Sequence, residues 1–180
     1  RIYATGASAG GIFTLRLACE LSNQIAAFAP VVASFPSDYI GFCRPQRPIS
    51  ILMINGTDDS FVPWLGGAIR TGRDRGRGGD VIPVPETVAF WQRHNQCRQT
   101  PDIQSLPDTD RNDNTTVSVW TYFDCRQGNT VELVEVKGGG HTWPGSPVGG
   151  SFAKRLVGNT SYDINASDLI WQFFQKRSLP

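Results

Sequence analysis

Two continuous apolar runs constrain the fold of this chain more than any other feature. The first is IAAFAPVVAS at 25–34, and the second is PISILMING at 48–56. Each has the length of a strand and lacks polar alternation, which is typical of parallel strands buried on both faces. A strand-like segment at 1–5 and a helical pattern after Gly10 precede them. This succession of strand, helix and further strands predicts an α/β fold with a mostly parallel sheet.

The remaining segments add two helices, a hairpin and a loop to this prediction. Helical spacing covers 83–95 and 167–177, with Ser167 as the expected cap of the second helix. VSVWTYF and TVELVEV predict a hairpin around 128–129. The Gly- and Arg-rich stretch 66–82 contains two aspartates and no aromatic residue, which favours a solvated surface loop over a nucleic-acid-binding segment. The absence of repeats and linkers predicts a single domain over 1–180.

The composition excludes several classes of partner. With 39% hydrophobic residues, 18% charged residues and a net charge of +1, the sequence is typical of a soluble globular domain without a nucleic-acid or anionic-membrane partner. No apolar run approaches the roughly 20 residues that a membrane span requires. The first residue lies within an apolar run, so the missing signal peptide is uninformative.

Four cysteines indicate the redox environment. Cys19, Cys43, Cys97 and Cys125 form no C-x-x-C pair, which argues against a zinc site. An even count fits two disulfides in a secreted or periplasmic protein, with buried thiols as the alternative. The spacing alone leaves all three pairings open.

A G-x-S-x-G motif surrounds Ser8, between the first predicted strand and the first predicted helix. This is the setting of a nucleophile elbow, in which a strained turn lifts the serine hydroxyl clear of the sheet. Gly6 and Gly10 are expected where a side chain would collide with a neighbouring element. The amide of Ala9 is expected in the oxyanion hole, at the positive end of the helix. A plain Gly-rich turn is the alternative reading of the motif.

A serine nucleophile needs a base and an acid that orients the base. Of the two histidines, His94 lies within a predicted helix and is expected at the surface, whereas His141 follows three glycines after a predicted strand. Asp58 and Asp59 follow the second apolar run, at the carboxyl end of that strand. The order serine, aspartate, histidine is that of α/β-hydrolases. The residues alone do not choose between the two aspartates, and either could be a turn former.

The sequence resembles the secreted esterases grouped with polyhydroxybutyrate depolymerases, feruloyl esterases and acetylxylan esterases. The segments that carry the resemblance are YATGASAGG, ILMINGTDDSFVPW, VAFWQRHNQC and GGGHTWPG. The family's block H-G-T-x-D-x-x-V-P-Y implies that Asp59 is the acid, and Asn55 and Trp64 replace its usual His and Tyr. The resemblance also implies a Cys97–Cys125 disulfide, which would leave Cys19 to pair with Cys43.

This resemblance implies an α/β-hydrolase fold and ester hydrolysis by Ser8, Asp59 and His141 through an acyl-enzyme, without a cofactor or a metal. The implied substrates are feruloyl, acetyl-xylan or polyhydroxyalkanoate esters, and thus a plant cell-wall polysaccharide or a polyester as partner. Trp64 and Trp143 are candidate walls of the substrate pocket, with packing as their alternative role. A serine peptidase of the prolyl-oligopeptidase type and a non-catalytic carbohydrate-binding relative are the competing functions.

The position of the elbow in the chain leads to one more expectation. In α/β-hydrolases the elbow follows the fifth strand of the sheet, whereas here it follows the first predicted strand. We therefore expect the 180 residues to be the C-terminal part of a longer catalytic domain. The preceding part would then carry the loop that donates the second oxyanion-hole amide.

Overall fold

The computed structural model describes residues 1–71 and 74–179. Its strands, in chain order, are β1 Tyr3–Ala7, β2 Ala27–Val31, β3 Ser50–Gly56, β4 Gly67–Thr71, β5 Asp74–Val81, β6 Asp102–Ser105, β7 Thr116–Tyr122 and β8 Val131–Lys137. Its helices are α1 Ala9–Glu20, α2 Val84–His94, α3 Ser151–Val157 and α4 Ala166–Gln175.

One six-stranded sheet organises the fold, in the order β1-β2-β3-β8-β7-β6. The first four strands of that order are parallel to one another, and β7 runs antiparallel to β8 and to β6. Every residue of β2 and β3 is buried, as the two apolar runs predicted. The mainly parallel α/β architecture is confirmed, and so is the β7–β8 hairpin. β1 lies at one edge of the sheet; the expectation of preceding strands stays a prediction.

Apolar side chains cover both faces of the sheet. On one face, Leu15 of α1 and Trp91 of α2 belong to a cluster that includes Phe28 and Ile51. On the other face, Phe173 and other residues of α4 pack in a second cluster with residues of β2, β3 and β8. Because helices flank the sheet on both sides, the ends of the parallel strands are the places where polar residues can gather.

The stretch 66–82 was predicted to be a loop, and this prediction is wrong for its described part. β4 and β5 pair antiparallel in a two-stranded sheet of their own, while residues 72 and 73 lie outside the described residues. The many Gly and Arg residues leave no apolar alternation from which a strand could be predicted. The two strands can still pair, because the hydrogen bonds between strands are made by the backbone. Neither the short β6 nor α3 was predicted.

The cap of α4 also differs from the prediction. Asn165, not Ser167, is the cap, and its side chain accepts a hydrogen bond from the amide of Asp168 at 3.2 Å. The hydroxyl of Ser167 instead accepts a hydrogen bond from the indole of Trp143. Both residue types are good caps, so the local sequence could not decide between them.

Two disulfides are present, Cys19–Cys43 and Cys97–Cys125. The first joins the end of α1 to the segment before β3, and the second joins the end of α2 to the connection between β7 and β8. This confirms both pairings. Such bonds persist in oxidising compartments, so they are consistent with an extracellular location. In the described part of the chain, no helix is long and apolar enough to cross a membrane.

Candidate active site

Ser8 occupies a sharp turn between β1 and α1. Its φ of 56° and ψ of −121° lie outside the regions that non-glycine residues usually adopt. The turn is held by two backbone hydrogen bonds, from the Ser8 amide to Val31 and from the Ile12 amide to the Ser8 carbonyl. The geometry is that of an elbow, with a strained residue at the tip and a helix starting immediately after it.

The glycines around Ser8 have different roles from those predicted. A Cβ on Gly6 would lie 2.6 Å from the backbone of Gly10, so the predicted collision at Gly6 is confirmed. Among the described residues, a Cβ on Gly10 would meet nothing within 4 Å, so the predicted collision there is wrong. The second tight position is Gly11, whose Cβ would lie 2.6 Å from the Cβ of Ala33 and 2.8 Å from the carbonyl oxygen of Val31.

The parallel strands end along one common edge, which brings their following loops together. Backbone hydrogen bonds continue across this edge beyond the strands themselves. They run from Ser8 N to Val31 O (3.0 Å), from Val32 N to Ile54 O (2.8 Å) and from Thr57 N to Val136 O (3.0 Å). Ser8, Asp59 and His141 therefore follow β1, β3 and β8 at the same edge, where α/β sheets place their active sites.

Asp59 and His141 are in direct contact. The His141 Nδ1 lies 2.7 Å from Asp59 Oδ2, and the two side chains are 13% and 1% exposed. The other carboxylate oxygen, Asp59 Oδ1, accepts hydrogen bonds from the amides of Phe61 and Val62 at 2.8 and 2.9 Å. Asp58 points elsewhere, accepting a hydrogen bond from the Thr57 hydroxyl. The structure thus gives the two neighbouring aspartates different contacts, which the spacing alone could not do.

The loop that carries His141 is fixed by close backbone packing. A Cβ on Gly56 would collide with the backbones of Gly139 and Gly140, and one on Gly140 would collide with the carbonyl of Val157. The amide of His141 donates to that same Val157 carbonyl at 2.6 Å. The run of glycines is therefore needed because the loop passes between two other backbone segments.

Ser8 and His141 lie at the same edge of the sheet but are not hydrogen-bonded in the described structure. Among the described residues, no hydrogen bond joins Ser8 Oγ to His141. The structure brings Asp59 and His141 together and leaves Ser8, the third residue of the predicted constellation, at the end of β1, two strands away from β3. Catalytic hydrogen bonds in ligand-free enzymes are often long and tighten only when substrate binds.

Three residues at this edge were not found from the sequence. Phe61 stacks on the His141 ring, with centroids 5.0 Å apart and planes at 30°. Val32, at the end of β2, has a φ of 45°, which is rare for a β-branched residue. Val157 holds the His141 loop through its carbonyl. The stacking partner of a ring and a backbone torsion leave no signal in a single sequence.

The two tryptophans predicted near the substrate have packing contacts. Trp64 packs against the apolar cluster of α1 and α2, and its carbonyl accepts a hydrogen bond from the amide of Val84. Trp143 packs against the opposite cluster and donates from its indole to the Ser167 hydroxyl at 3.1 Å. These contacts account for a packing role, and a role in substrate binding stays a prediction.

Asn55, at the position where the resembled family usually has histidine, is buried within the strand ends. It is 1% exposed, and its Nδ2 donates to the Ala33 carbonyl at 3.0 Å. This hydrogen bond joins the loop after β2 to the last residues of β3. The amide thus supports the edge of the sheet that carries the candidate site.

A groove of about 490 Å³ begins at Ala9, beside the elbow, and runs between α1 and the segment 36–42. Its walls include the aromatic side chains of Phe13, Tyr39 and Phe42. Phe13 and Phe42 are 56% and 77% exposed, which is unusual for large apolar rings. Burial, followed by a hydrogen bond to Glu20, raises the pKa of Tyr39. The charged residues Arg16 and Asp38 also line the groove.

The described residues contain no group of three or more His, Cys, Asp or Glu side chains arranged to hold a metal ion.

Comparison with known proteins relates the chain to esterases. It is 30% identical over 158 residues to feruloyl esterase B of Piromyces equi, covering 87% of this chain and 27% of that protein. It is 31% identical over 178 residues to the putative esterase NocK of Nocardia uniformis subsp. tsuyamanensis, covering 96% of this chain and 50% of that protein. A third relative, the bifunctional acetylxylan esterase/xylanase XynS20E of Neocallimastix patriciarum, is 27% identical over 146 residues, or 79% of this chain and 18% of that protein.

No family model matches the chain. The chain spans half or less of the length of these three relatives. All three carry esterase names, and the similarity to each extends over most of this chain. These similarities support a relationship of the chain to an esterase family.

Proposed function

We propose that this chain carries the catalytic residues of a serine esterase with the α/β-hydrolase fold. The observation that carries the proposal is the 2.7 Å contact between His141 and Asp59 at the sheet edge that also bears Ser8. β1 and β3 are two strand spacings apart, about 10 Å, which is a span that an imidazole on a neighbouring loop can bridge. His141 follows β8, which lies on the far side of β3 from β1, so in the proposed arrangement its loop reaches across the end of β3 and the base stands between the acid and the nucleophile.

In the proposed mechanism, Ser8 Oγ attacks the ester carbonyl while His141 Nε2 takes the hydroxyl proton. Asp59 holds the histidine in the tautomer with the proton on Nδ1 and stabilises the imidazolium that forms. The imidazolium then gives its proton to the leaving alcohol, which leaves an acyl-enzyme at Ser8. Water, deprotonated by His141, releases the acid and restores the serine.

The Ala9 amide is the proposed donor to the oxyanion. Ala9 is the first residue of α1, so its N–H has no acceptor within the helix and points out of the helix N-terminus. The helix dipole adds partial positive charge at the same point. Developing negative charge on the carbonyl oxygen would be stabilised there.

We assign the groove beside Ala9 to the acyl part of the ester, and we favour an aromatic acyl group such as feruloyl. The groove's volume of about 490 Å³ lies within the range of small-molecule sites, and an acetyl group would leave most of it empty. Exposed aromatic walls such as Phe13 and Phe42 suit a planar ring. A plant cell-wall polysaccharide carrying such esters is then the proposed partner, and the two disulfides favour a secreted or periplasmic enzyme.

Covalent labelling tests the proposed function directly. A fluorophosphonate probe should label Ser8, and Ser8→Ala should abolish the label. Methyl ferulate should be hydrolysed, whereas a dipeptide amide should not. Amide hydrolysis would instead identify a peptidase, and complete inertness to the probe would identify a non-catalytic relative.

A second experiment tests the assignment of the groove. Phe42→Ala should lower kcat/KM for methyl ferulate by about 5- to 50-fold, the effect of one lost apolar contact. Hydrolysis of p-nitrophenyl acetate should change little, because an acetyl group does not reach this ring. An equal loss on both esters would show that the groove does not bind the acyl group.

A further inference from the structure

We propose that Phe61 is a positioning residue for His141: its ring holds one face of the imidazole while Asp59 holds Nδ1. This inference rests on the proposed role of His141 as the base. It adds a residue that lies outside the resembled motif's defining positions, because Ser60 and Phe61 are the two variable positions before Val62 and Pro63.

The first support is the geometry of the two rings. Their centroids are 5.0 Å apart and their planes meet at 30°, an offset stack within the range of favourable aromatic pairs. The bond to Asp59 limits rotation of the imidazole about its Cβ–Cγ bond, because Nδ1 must stay near Oδ2. The ring of Phe61 limits rotation about Cα–Cβ, because it occupies the space on one side. Together the two contacts fix both torsions of the base.

The second support is the way in which Phe61 is itself held. Its amide donates to Asp59 Oδ1 at 2.8 Å, and its carbonyl accepts from the amide of Arg70 at 3.0 Å. The acid and the stacking ring are thus two residues apart on one hydrogen-bonded turn, which is joined to β4 through the Arg70 amide. Any movement of this turn shifts both constraints on the base at once.

The third support is electrostatic. His141 becomes positively charged when it takes the proton from Ser8, and the face of an aromatic ring attracts a cation. The ring also keeps water from one face of the imidazolium, which strengthens its attraction to Asp59. Phe61 therefore favours the charged state of His141 that exists in the transition state, so its removal should act on kcat rather than on KM.

The chain offers a matched control for this contact. Phe90 stacks on the other histidine, His94, with centroids 6.4 Å apart and planes at 7°. Phe90 and Phe61 are both half-buried, and the Phe90–His94 pair lies on α2, outside the candidate site. Making the same substitution at both positions shows whether activity depends on the Phe61–His141 stack in particular or is lowered by the loss of any phenylalanine–histidine stack.

The experiment compares four variants of the intact protein on p-nitrophenyl acetate, which is too small to depend on the aromatic groove. Phe61→Leu and Phe61→Met should lower kcat by about 3- to 10-fold and change KM by less than about twofold, as expected for one aromatic contact that acts in the transition state. Phe61→Tyr should restore kcat, because it restores the ring. Phe90→Leu should leave kcat unchanged.

A spectroscopic readout separates positioning from general loss of structure. The His141 proton on Nδ1 should give a far-downfield proton NMR signal that is sharp in the parent protein and broadened by solvent exchange in Phe61→Leu. Phe61→Tyr should recover the sharp signal. Melting temperatures measured on the same samples report folding, and Phe61→Met covers the case in which Phe61→Leu does not fold.

Three results would overturn the proposal. A raised KM with an unchanged kcat would make Phe61 a wall for substrate, and an equal loss in Phe61→Tyr would show that the ring face is not what matters. An unchanged kcat in both ring-free variants would show that the stack is dispensable. Failure of the esterase mechanism itself is a different outcome, seen as full activity in Ser8→Ala whatever the result at Phe61.

Discussion

The carboxylate of Asp59 and the imidazole of His141 lie 2.7 Å apart, although the two residues are 82 positions apart in the sequence. Asp59 is almost completely buried, and two backbone amides bind the oxygen that does not face the histidine. Three hydrogen bonds therefore hold the carboxylate, one at Oδ2 and two at Oδ1. This arrangement holds the ring of His141 with Nδ1 toward the acid, so that Nε2 is the nitrogen left for a substrate or a nucleophile.

The first prediction concerns the nucleophile and the base. Ser8→Ala and His141→Ala should each lower kcat on ester substrates by on the order of 10⁴-fold or more, because each removes a member of a unit that acts together. Steady-state kinetics on p-nitrophenyl acetate measures this loss. His94→Ala is the matched control, since it removes the only other histidine of the chain, and it should keep nearly full activity. Substantial activity in Ser8→Ala would contradict the elbow assignment.

The second prediction distinguishes the two neighbouring aspartates. Asp59→Asn should lower kcat by about 10³- to 10⁴-fold, because the amide cannot hold the histidine in the required tautomer. Asp58→Asn should cost less than about twofold, since its carboxylate is exposed and bonds only to a threonine hydroxyl in the described structure. If the two variants lost activity equally, the assignment of the acid to Asp59 would be wrong.

The third prediction concerns the glycines of the elbow. Gly11→Ala should destabilise the fold or lower its yield, because the new Cβ would lie 2.6 Å from Ala33, inside the contact limit. Gly10→Ala should be tolerated and slightly stabilising, by up to about 1 kcal/mol, because alanine favours helix and its Cβ meets no described atom. Thermal unfolding of the two variants tests the difference. The prediction fails if Gly10→Ala is the more damaging change.

The fourth prediction concerns the disulfides. Replacing Cys97 and Cys125 together by serine should lower the free energy of unfolding by about 3–4 kcal/mol, because the bond closes a loop over a sequence separation of 28. Denaturant titration measures the loss. Peptide mapping without reduction checks the pairing beforehand, and crossed pairs or free thiols would contradict the structure.

The fifth prediction is a pH dependence of stability away from the active site. Burial raises the pKa of Glu132 above its ordinary value of 4.5, and the opposing attraction of Arg177, at 3.7 Å, does not cancel it. The folded protein therefore holds this proton more tightly than the unfolded chain does. Burying the charged carboxylate lowers the free energy of unfolding. This loss is absent at a pH below the ordinary pKa of glutamate, and it develops as the pH rises from there through the higher pKa of the folded state.

Glu132→Gln removes the buried carboxylate and with it this loss in the free energy of unfolding. The melting temperature of the variant relative to the parent should therefore increase as the pH is raised from about 4 to about 7. Scanning calorimetry across that range checks the sign. If the difference in melting temperature stays constant or decreases with pH, the burial of Glu132 does not destabilise the folded protein.

Much of the architecture could be predicted because it depends on local patterns. The apolar runs of β2 and β3 indicated strands covered on both faces, and helical spacing placed Val88 and Trp91 on the buried side of α2. These signals survive in one sequence because burial acts on every residue of a strand or on one face of a helix. Where local signals were weak or equal, prediction failed, as for the β4–β5 pair and for the cap at Asn165.

The sequence by itself determined the α/β class, the elbow motif at Ser8 and a short set of candidates for base and acid. Only the tertiary structure decided that Asp59, rather than Asp58, contacts His141, and that Gly11, rather than Gly10, is the crowded glycine. It alone revealed the stack of Phe61 on His141. The physical reason is that these relationships join loops from separate strands, so they depend on sheet order and on distances of tenths of an ångström, which no local pattern of residues records.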